Sequence, residues 1–248
     1  EVMKADFPQL GKEWHDKVTY IPHGVDTNFF KPKPGLRPDE AFTVGCVARN
    51  QHRKNIPRLM RGFAHFVKTN NLKPKDAKLL LHMDWKDFMG WDIEQMAINF
   101  DILDYMFPPT CGAIDNGEGV SEERMVEIYN LMDVFVLPTA GEGFGIPTVE
   151  AMACGLPVCV TNYTTGYELV KMEDPEKGEL PLMPLGDDAE SGRDYLIDDD
   201  WSDRGCLLPY KDMWWDTPRR AAPQRAIVSE MAISQALTKL YNDKDYRL

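Results

Sequence analysis

The stretch 133–162 combines apolar runs, a turn and helical spacing in a single unit. The apolar run 133–137 is closed by Pro138 and predicts a strand buried on both faces of a parallel sheet. A glycine-rich turn follows, and Pro147 suits the first turn of a helix, where its missing amide hydrogen costs nothing. The apolar run 158–160 predicts the next strand. The stretch therefore predicts one βαβ unit.

Similar patterns on both sides of this unit predict further elements. Short apolar runs predict strands, and apolar residues spaced three and four apart predict helices. The predicted strands are 17–22, 42–48, 78–83 and 102–107. The predicted helices are 91–98, 121–131, 226–241 and the one that carries Leu59, Met60, Phe63, Phe66 and Val67. This alternation predicts an α/β fold with a parallel sheet flanked by helices.

Composition narrows the class of protein. The chain has 248 residues, and 43% are hydrophobic, which is ample for a core. It shows no apolar run near the length of a membrane span and no leader pattern, so we expect neither a span nor a signal peptide. Five cysteines without a CxxC pair predict reduced, mostly buried thiols and a cytosolic setting. The net charge of -12 argues against nucleic-acid binding.

The turn in the βαβ unit carries candidate chemistry. Gly141, Gly143 and Gly145 precede a helix N-terminus, and such a turn offers backbone amides to an anion such as a diphosphate. Glu142 lies in the turn and Glu150 in about the first turn of the helix. A carboxylate can accept hydrogen bonds from both hydroxyls of a vicinal diol. The pair predicts a ligand with phosphates in the middle and hydroxyls at both ends.

These residues resemble a known signature. The segment 142–150 is similar to the E-x7-E motif of retaining glycosyltransferases of the GT-B type, in particular glycosyltransferase family 4. The similarity extends over Asp133-Val-Phe-Val-Leu-Pro and over Glu142-Gly-Phe-Gly-Ile-Pro-Thr-Val-Glu. The resemblance implies that Glu142 orients the donor sugar and that Glu150 holds the ribose. The donor-binding residues that it implies are Gly143, Phe144, Gly145, Ile146 and Glu150.

A second motif follows the predicted strand 42–48. Arg49 and Lys54 are spaced as in the G-R-x4-K motif of the same family, although Ala48 replaces the usual Gly and Asn55 stands where a Gly is frequent. Cations at the carboxyl edge of an open α/β sheet lie where a diphosphate would bind. The resemblance implies that this pair stabilises the diphosphate as it leaves. The expected catalytic residues are therefore Arg49, Lys54 and Glu142.

The resemblance also implies a domain organisation. His23-Gly24-Val25-Asp26 resembles the family's I-P-N-G-V-D segment, which lies at the junction of two Rossmann-like domains. We expect residues 1–35 to be a junction segment and 36–248 a Rossmann-like nucleotide-sugar-binding domain, the C-terminal half of a GT-B fold. An N-terminal domain is expected to be missing from the chain. Residues 163–170 are similar to a short helix of the family that begins opposite the sugar site, and residues 205–209 resemble the family's G-x-L-v-P strand.

Two loops extend the predicted site. The resemblance places the loop after strand 102–107 against the nucleotide base, and the expected base contacts are Phe107, Pro108 and Cys111. The stretch 173–203 holds twelve acidic residues and two basic ones and is interpreted as an acidic insertion. Its Asp198-Asp199-Asp200 matches a D-x-D metal pattern of the other large glycosyltransferase fold. It lies outside any periodic segment, so a solvated or partner-facing loop is favoured.

Other candidate residues are interpreted as structural. His52 lies between two cations, and a loop histidine in that setting is more often a surface or supporting residue than a catalytic one. Tyr210, Trp214 and Trp215 could form a lid or an acceptor platform, but packing is favoured. The spacing of His, Cys and Asp in the sequence does not resemble a metal site.

Together these observations favour the donor-binding half of a retaining glycosyltransferase. It would transfer a sugar from a nucleoside diphosphate sugar to a hydroxyl of a glycan, lipid or protein acceptor. The resemblance implies no glycosyl nucleophile, and we expect no metal or cofactor besides the donor. We expect a cytoplasmic location, with any membrane contact made through the missing domain, and little transfer by this chain alone.

Alternatives stay open at this point. The chain could be a non-catalytic nucleotide-sugar-binding module, or belong to another GT-B enzyme such as a nucleotide-sugar epimerase or a phosphorylase. A nicotinamide-dependent dehydrogenase is disfavoured because Arg49-Asn50-Gln51-His52 follows the first strand instead of G-x-G-x-x-G. The base, the sugar and the acceptor are not fixed by the sequence.

Overall fold

The structure is a computed structural model that describes residues 21, 23–109, 119–171, 192–215 and 224–247. The predicted strand 17–22 lies almost entirely outside these ranges. Cys111 and the first part of the acidic insertion lie outside them as well. Within the described ranges, we find no helix with both the length and the apolar character needed to cross a bilayer.

A six-stranded sheet forms the centre of the molecule. Its strands are β1 (Phe42–Val47), β2 (Ala77–His82), β3 (Val134–Leu137), β4 (Val158–Thr161), β5 (Trp201–Ser202) and β6 (Gly205–Leu208). The order across the sheet is β2-β1-β3-β4-β6-β5. The first five strands in this order pair in parallel, and β5 pairs antiparallel with β6. The predicted parallel α/β sheet is confirmed.

Helices lie between and beside the strands. They are α1 (Ile56–Thr69), α2 (Ile93–Asn99), α3 (Glu122–Tyr129), α4 (Ile146–Ala153), α5 (Thr165–Lys171) and α6 (Glu230–Asn242). Strands β7 (Tyr210–Trp215) and β8 (Gln224–Val228) form a separate antiparallel sheet between β6 and α6. The predicted helices after β1, before β3 and after the glycine turn are all present. The short helix expected near residue 165 is present as α5.

The core follows from the apolar pattern. Strands β1, β3, β4 and β6 are buried along their whole length, as expected for strands covered on both faces. Helix α1 buries the predicted stripe and packs along α6. Gly62 allows the close approach, since a Cβ there would lie 2.6 Å from Cγ2 of Ile233. Each fully buried Leu or Phe stabilises the fold by about 1.5 to 3 kcal/mol.

The predicted strand 102–107 is wrong. Leu103–Tyr105 is a 3-10 turn, and only Met106 pairs with β2, as an isolated bridge to Leu79. The end of α2 explains the difference. Asp101 has a φ of 57°, and the amide of Ile102 donates to the carbonyl of Ala97 at 2.9 Å, so the chain is still turning out of the helix where a strand was expected.

The predicted helix 226–241 begins later than expected, at Glu230. Residues 226–228 belong to β8, where they pair with β7. Ser229 separates the two elements because its side chain accepts a hydrogen bond from the amide of Ala232 at 3.1 Å and caps the helix. The apolar spacing across this boundary suited both a strand and a helix.

The aromatic residues of β7 differ from their predicted packing. Tyr210 is buried and contacts Tyr163 edge to face, with ring centroids 5.9 Å apart. Trp214 and Trp215 are exposed, at 36% and 60% of their surface. The packing interpretation is therefore wrong for both tryptophans.

Asp200 also differs from its prediction as part of a solvated loop. It is buried and forms a bidentate pair with Arg193, at 2.9 and 3.1 Å, and it accepts a hydrogen bond from the amide of Ile197. Asp198 and Asp199 are exposed. Among these three aspartates, Asp200 therefore has a structural role.

Candidate functional site

The glycine turn lies at the carboxyl edge of the sheet, between the end of β3 and the start of α4. Gly141 and Gly145 have φ angles of 152° and 89°, which favour glycine. Gly145 is the N-cap residue of α4, and Pro147 follows in the first turn. A Cβ on Gly141 would lie 3.2 Å from Nη1 of Arg225. The turn therefore depends on glycine for its conformation, and Gly141 lies against the end of the Arg225 side chain.

Glu142 is the centre of a charged cluster. Its Oε1 lies 2.6 Å from Nζ of Lys54 and 3.2 Å from Nη1 of Arg53. Its amide donates to Oγ1 of Thr164 at 3.1 Å. Burial alone would raise the pKa of Glu142, but the hydrogen bond and charge of Lys54, with help from Thr139 and Arg53, hold that pKa below its usual value. Glu142 is therefore ionised at neutral pH.

Lys54 and Arg53 are brought to the turn by a short 3-10 segment, His52–Lys54, that precedes α1. The amide of Ala140 donates to the carbonyl of Arg53 at 2.6 Å, which ties this segment to the residues just before the turn. Only 8% of the Lys54 side chain is exposed, against 34% for Arg53. The structure thus brings Lys54 and Glu142 together, as their two motifs imply.

Glu150 lies in α4 and has a different neighbour. The hydroxyl of Tyr129 donates to its Oε2 at 2.7 Å, and Tyr129 is fully buried in α3. Burial raises the pKa of Glu150, and Glu122 adds to this, while the Tyr129 hydrogen bond acts in the opposite direction. The hydroxyl of Tyr129 therefore holds one carboxylate oxygen of Glu150 in place.

Arg49 is placed at the edge of the site. Its Nε donates to Oδ2 of Asp87 at 3.0 Å, and 60% of its side chain is exposed. The loop that carries Asp87 is held by the fully buried Asn50, whose amide nitrogen donates to the carbonyls of Asp84 and Trp91. In this structure Arg53, rather than Arg49, is the arginine beside Glu142.

The other predicted donor-site residues lie in and after the turn. Gly143 and Ile146 are exposed, and Gly145 is buried at the helix cap. The ring of Phe144 packs against His23, with centroids 5.0 Å apart, so the HGVD segment touches the turn. These contacts leave the donor-binding roles as predictions.

Of the predicted base contacts, two are described. Phe107 is half-buried below Nζ of Lys78, at 5.7 Å from the ring centroid, and Pro108 is exposed. Cys111 lies outside the described residues. His52 packs on Trp91, with ring centroids 4.7 Å apart. Its role also stays a prediction.

A cavity of about 360 Å³ opens beside Glu142, and most of its lining residues were not predicted. The sequence analysis placed the start of the helix at 163–170 opposite the sugar site but did not name Tyr163 or Thr164 as site residues, and it missed Arg53, Gln224 and Arg225. Arg53 comes directly before Lys54, a predicted site residue, so its place in the sequence could have identified it. Gln224 and Arg225 lie on β8, about 80 residues after the glycine turn in the sequence. No local sequence pattern connects β8 to the turn. Among the described residues, we find no group of three His, Cys, Asp or Glu that could hold a metal ion.

Comparisons with known proteins relate the segment that carries the turn to a family of glycosyl transferases. Residues 117–180, which include the turn and both glutamates, match the family model of glycosyl transferases group 1. The lipopolysaccharide core biosynthesis mannosyltransferase LpsB of Rhizobium meliloti is 29% identical over 183 residues, 70% of this chain and 48% of the relative. The chain spans about half the length of the curated relatives it matches, or less.

Solved structures share the fold. The C-terminal domain of the group 1 glycosyl transferase LpcC from Francisella tularensis superposes with a TM-score of 0.54 at 18% identity, over 90% of this chain and 91% of that domain. Anabaena HepE, solved with UDP and glucose, superposes with a TM-score of 0.56 at 16% identity, over 93% of this chain and 49% of that protein. This chain has the fold of the C-terminal domain of a GT-B glycosyltransferase and carries the matching segment of glycosyl transferases group 1.

Proposed function

We propose that this chain is the donor-binding domain of a retaining, family 4-like glycosyltransferase. It binds a nucleoside diphosphate sugar, and the complete enzyme transfers the sugar to a hydroxyl of a glycan, lipid or protein acceptor. The observation that carries this proposal is the contact of Lys54 with Glu142, at 2.6 Å, directly at the glycine turn.

The diphosphate binds at the turn and beside Lys54. Only 8% of the Lys54 side chain is exposed and Glu142 fixes its position, so Lys54 donates to a neighbouring phosphate with little further loss of hydration. The N-terminal end of α4 adds a favourable dipole to backbone amides. Arg49 joins the diphosphate by exchanging its pair with Asp87, which its side chain can leave because 60% of it is exposed.

The two glutamates bind the two ends of the donor. Glu142, kept ionised by Lys54, accepts hydrogen bonds from sugar hydroxyls. Glu150 is oriented through one oxygen by Tyr129 and accepts from the ribose hydroxyls with the other. As the bond between sugar and phosphate breaks, Lys54 and Arg49 stabilise the negative charge that develops on the leaving diphosphate.

The remaining parts of the proposal concern the partners and the reaction as a whole. The acceptor hydroxyl attacks from the same face as the leaving diphosphate, without a protein nucleophile and without a metal ion. The acceptor site lies on an N-terminal domain, and the enzyme works in the cytoplasm. A mannosyltransferase among the relatives and UDP with glucose in the Anabaena structure support a nucleotide-sugar donor.

Calorimetric titration with UDP, GDP, UDP-glucose and GDP-mannose tests the donor-binding role. We expect at least one nucleotide to bind, and Lys54→Gln to weaken it about tenfold or more because a charged hydrogen bond to phosphate is lost. Lys68→Gln, on the exposed face of α1, is the control and should bind as the wild type does. Absence of heat with all four ligands would contradict the proposal.

A further inference from the structure

One peptide unit of the glycine turn, the one that joins Gly141 to Glu142, is held by the protein on both sides. Its carbonyl oxygen, on Gly141, accepts a hydrogen bond from Nη1 of Arg53 at 3.0 Å and lies 3.1 Å from the hydroxyl of Thr139. Its amide, on Glu142, donates to Oγ1 of Thr164 at 3.1 Å. Groups from three other parts of the chain therefore fix the orientation of this peptide unit.

The hydroxyl of Thr164 can serve the turn only as an acceptor. It has a single proton, which it donates to the carbonyl of Tyr163 at 2.7 Å, so its oxygen is available to the amide of Glu142. The hydroxyl of Tyr163 donates in turn to the carbonyl of Gln224 in the β7–β8 hairpin, at 2.9 Å. A series of hydrogen bonds thus runs from the hairpin to the turn, and Thr164 makes the last of them.

The backbone of Thr164 is strained. Its φ is 53°, in the left-handed region. Among the described residues other than glycine, Asn55, Asn71 and Asp101 share this region, and their short polar side chains tolerate it. Thr164 is the β-branched residue of the four, and a β-branched side chain is a true outlier there. Such strain persists where the surroundings hold it, and it is concentrated at functional sites.

The loop after β4 shows what holds this conformation. The amide of Tyr163 donates to the carbonyl of Thr161, the last residue of β4, at 2.7 Å. A Cβ on Gly166 would lie only 2.1 Å from the same carbonyl oxygen. The residues on both sides of Thr164 are therefore packed against the end of the strand, and Thr164 keeps its left-handed φ between them.

This strained residue lies at the candidate site. Thr164 and Glu142 both line the cavity of about 360 Å³. Lys54 binds the carboxylate of Glu142, but the backbone that carries the carboxylate is held by Thr164. We propose that Thr164 is a positioning residue, which holds the 141–142 peptide and thereby the carboxylate of Glu142 in the orientation that binds the sugar of the donor. The inference rests on the proposed function in assigning Glu142 to the sugar.

Amide hydrogen exchange of Glu142, followed by NMR without a ligand, tests the hydrogen bond itself. We expect exchange to become about fivefold faster or more in Thr164→Ala, because the acceptor of the amide is removed. Thr164→Ser keeps the hydroxyl and should keep the slow exchange. Thr165→Ala changes the next threonine, which does not line the cavity, and is the matched control. It should exchange as the wild type does.

Calorimetry tests the role in sugar binding. The Kd is measured for UDP and UDP-glucose and for GDP and GDP-mannose. In Thr164→Ala, the affinity for the sugar nucleotide should fall by about threefold to tenfold, as for the loss of one hydrogen bond, and the affinity for the nucleotide alone should fall less. Thr164→Ser should bind as the wild type does, and so should Thr165→Ala.

Thr164→Gly separates the strain from the hydroxyl. Glycine adopts a φ of 53° freely and alanine does not, so Thr164→Gly should melt at a higher temperature than Thr164→Ala. It lacks the hydroxyl and should bind the sugar nucleotide no better than Thr164→Ala. Stability and affinity would then change independently, which would not occur if Thr164 served only to stabilise the fold.

Three results would overturn the inference. They are equal exchange of the Glu142 amide in wild type and Thr164→Ala, weak binding that persists in Thr164→Ser, and an equal loss of affinity for the nucleotide and for its sugar. Failure of the proposed function would look different. None of the four ligands would then bind the wild type, and the sugar role of Thr164 would fall with it, although exchange of the Glu142 amide would still depend on the hydroxyl.

Discussion

Lys54 and Glu142 show how two motifs that are 88 residues apart become one charged pair. Each was predicted from its own motif, since a cation after the first strand and a carboxylate in a glycine turn both belong at the carboxyl edge of a parallel sheet. Arg53 and Arg225 could not be predicted in the same way. Their roles depend on side-chain direction and on a hairpin whose position is set by tertiary contacts.

Replacing Lys54 also tests the pair as a source of stability. In Lys54→Met, Glu142 stays largely buried and loses its shortest ionic contact, while the longer contact to Arg53 and the interaction with Thr139 remain, so we expect unfolding to become easier by about 1 to 3 kcal/mol. Urea denaturation measures this difference. Lys68→Met, which changes an exposed residue of the neighbouring helix, should differ from the wild type by less than about 0.5 kcal/mol.

The pH dependence of stability follows from the lowered pKa of Glu142. Because the folded state favours its ionised form, the carboxylate stabilises the protein above its usual pKa, and this stabilisation is lost as the pH falls through the lowered value. We expect the difference in melting temperature between wild type and Glu142→Gln to be largest near neutral pH and to shrink below about pH 4.5. A difference that does not vary between pH 7 and pH 3 would refute this.

Glu150 provides a test on the ribose side. If it holds both ribose hydroxyls, Glu150→Ala should weaken nucleotide binding by about 1 to 3 kcal/mol, measured as a change in Kd. Tyr129→Phe should have a smaller effect in the same direction, because it removes only the hydroxyl that orients the carboxylate. An unchanged Kd in Glu150→Ala would make Glu150 a structural residue.

At the level of elements, hydrophobic spacing was sufficient where an element is buried. The strands β1, β3 and β4 and the buried stripe of α1 were all found in this way, whereas β6 was expected from the family resemblance. Spacing failed where the chain was half-exposed. At 102–107 the end of α2 still controls the backbone, and in the hairpin the pattern of β8 merges with that of α6.

Ser229 marks the boundary that the pattern could not resolve. Its hydroxyl accepts from the amide of Ala232, donates to Asp194 and is fully buried. We expect Ser229→Ala to destabilise the fold by about 1 kcal/mol or slightly more, as for other helix caps. Ser121→Ala removes a longer and exposed cap of 3.3 Å in α3 and should cost less. Thermal unfolding measures the loss of stability in each variant. An equal loss in the two variants would contradict the stronger capping role of Ser229.

At the level of the whole molecule, the parallel sheet order and the placement of the turn agree with the proposed donor domain. The site was predicted in outline because motifs at strand ends meet at one sheet edge. The hairpin was not predicted, because its two strands are separated by residues 216–223 and pair only with each other in the described ranges. It adds Gln224 and Arg225 to the lining of the cavity beside Glu142.

The domain organisation gives a prediction of its own. If the acceptor site lies on another domain, this chain should bind a nucleotide sugar and transfer little of it. Product analysis with a labelled donor measures transfer, with a full-length relative such as the mannosyltransferase LpsB and its own substrates as a positive control. Efficient transfer to an acceptor by this chain alone would contradict the proposed division of roles.

A crystal structure of this chain with a bound nucleoside diphosphate tests the central claim most directly. The account predicts the diphosphate on the amides of the turn 141–145 and within hydrogen-bonding distance of Lys54, with both ribose hydroxyls on Glu150. A nucleotide bound elsewhere, with Lys54 still paired only to Glu142 and with Glu150 free of the ribose, would contradict it.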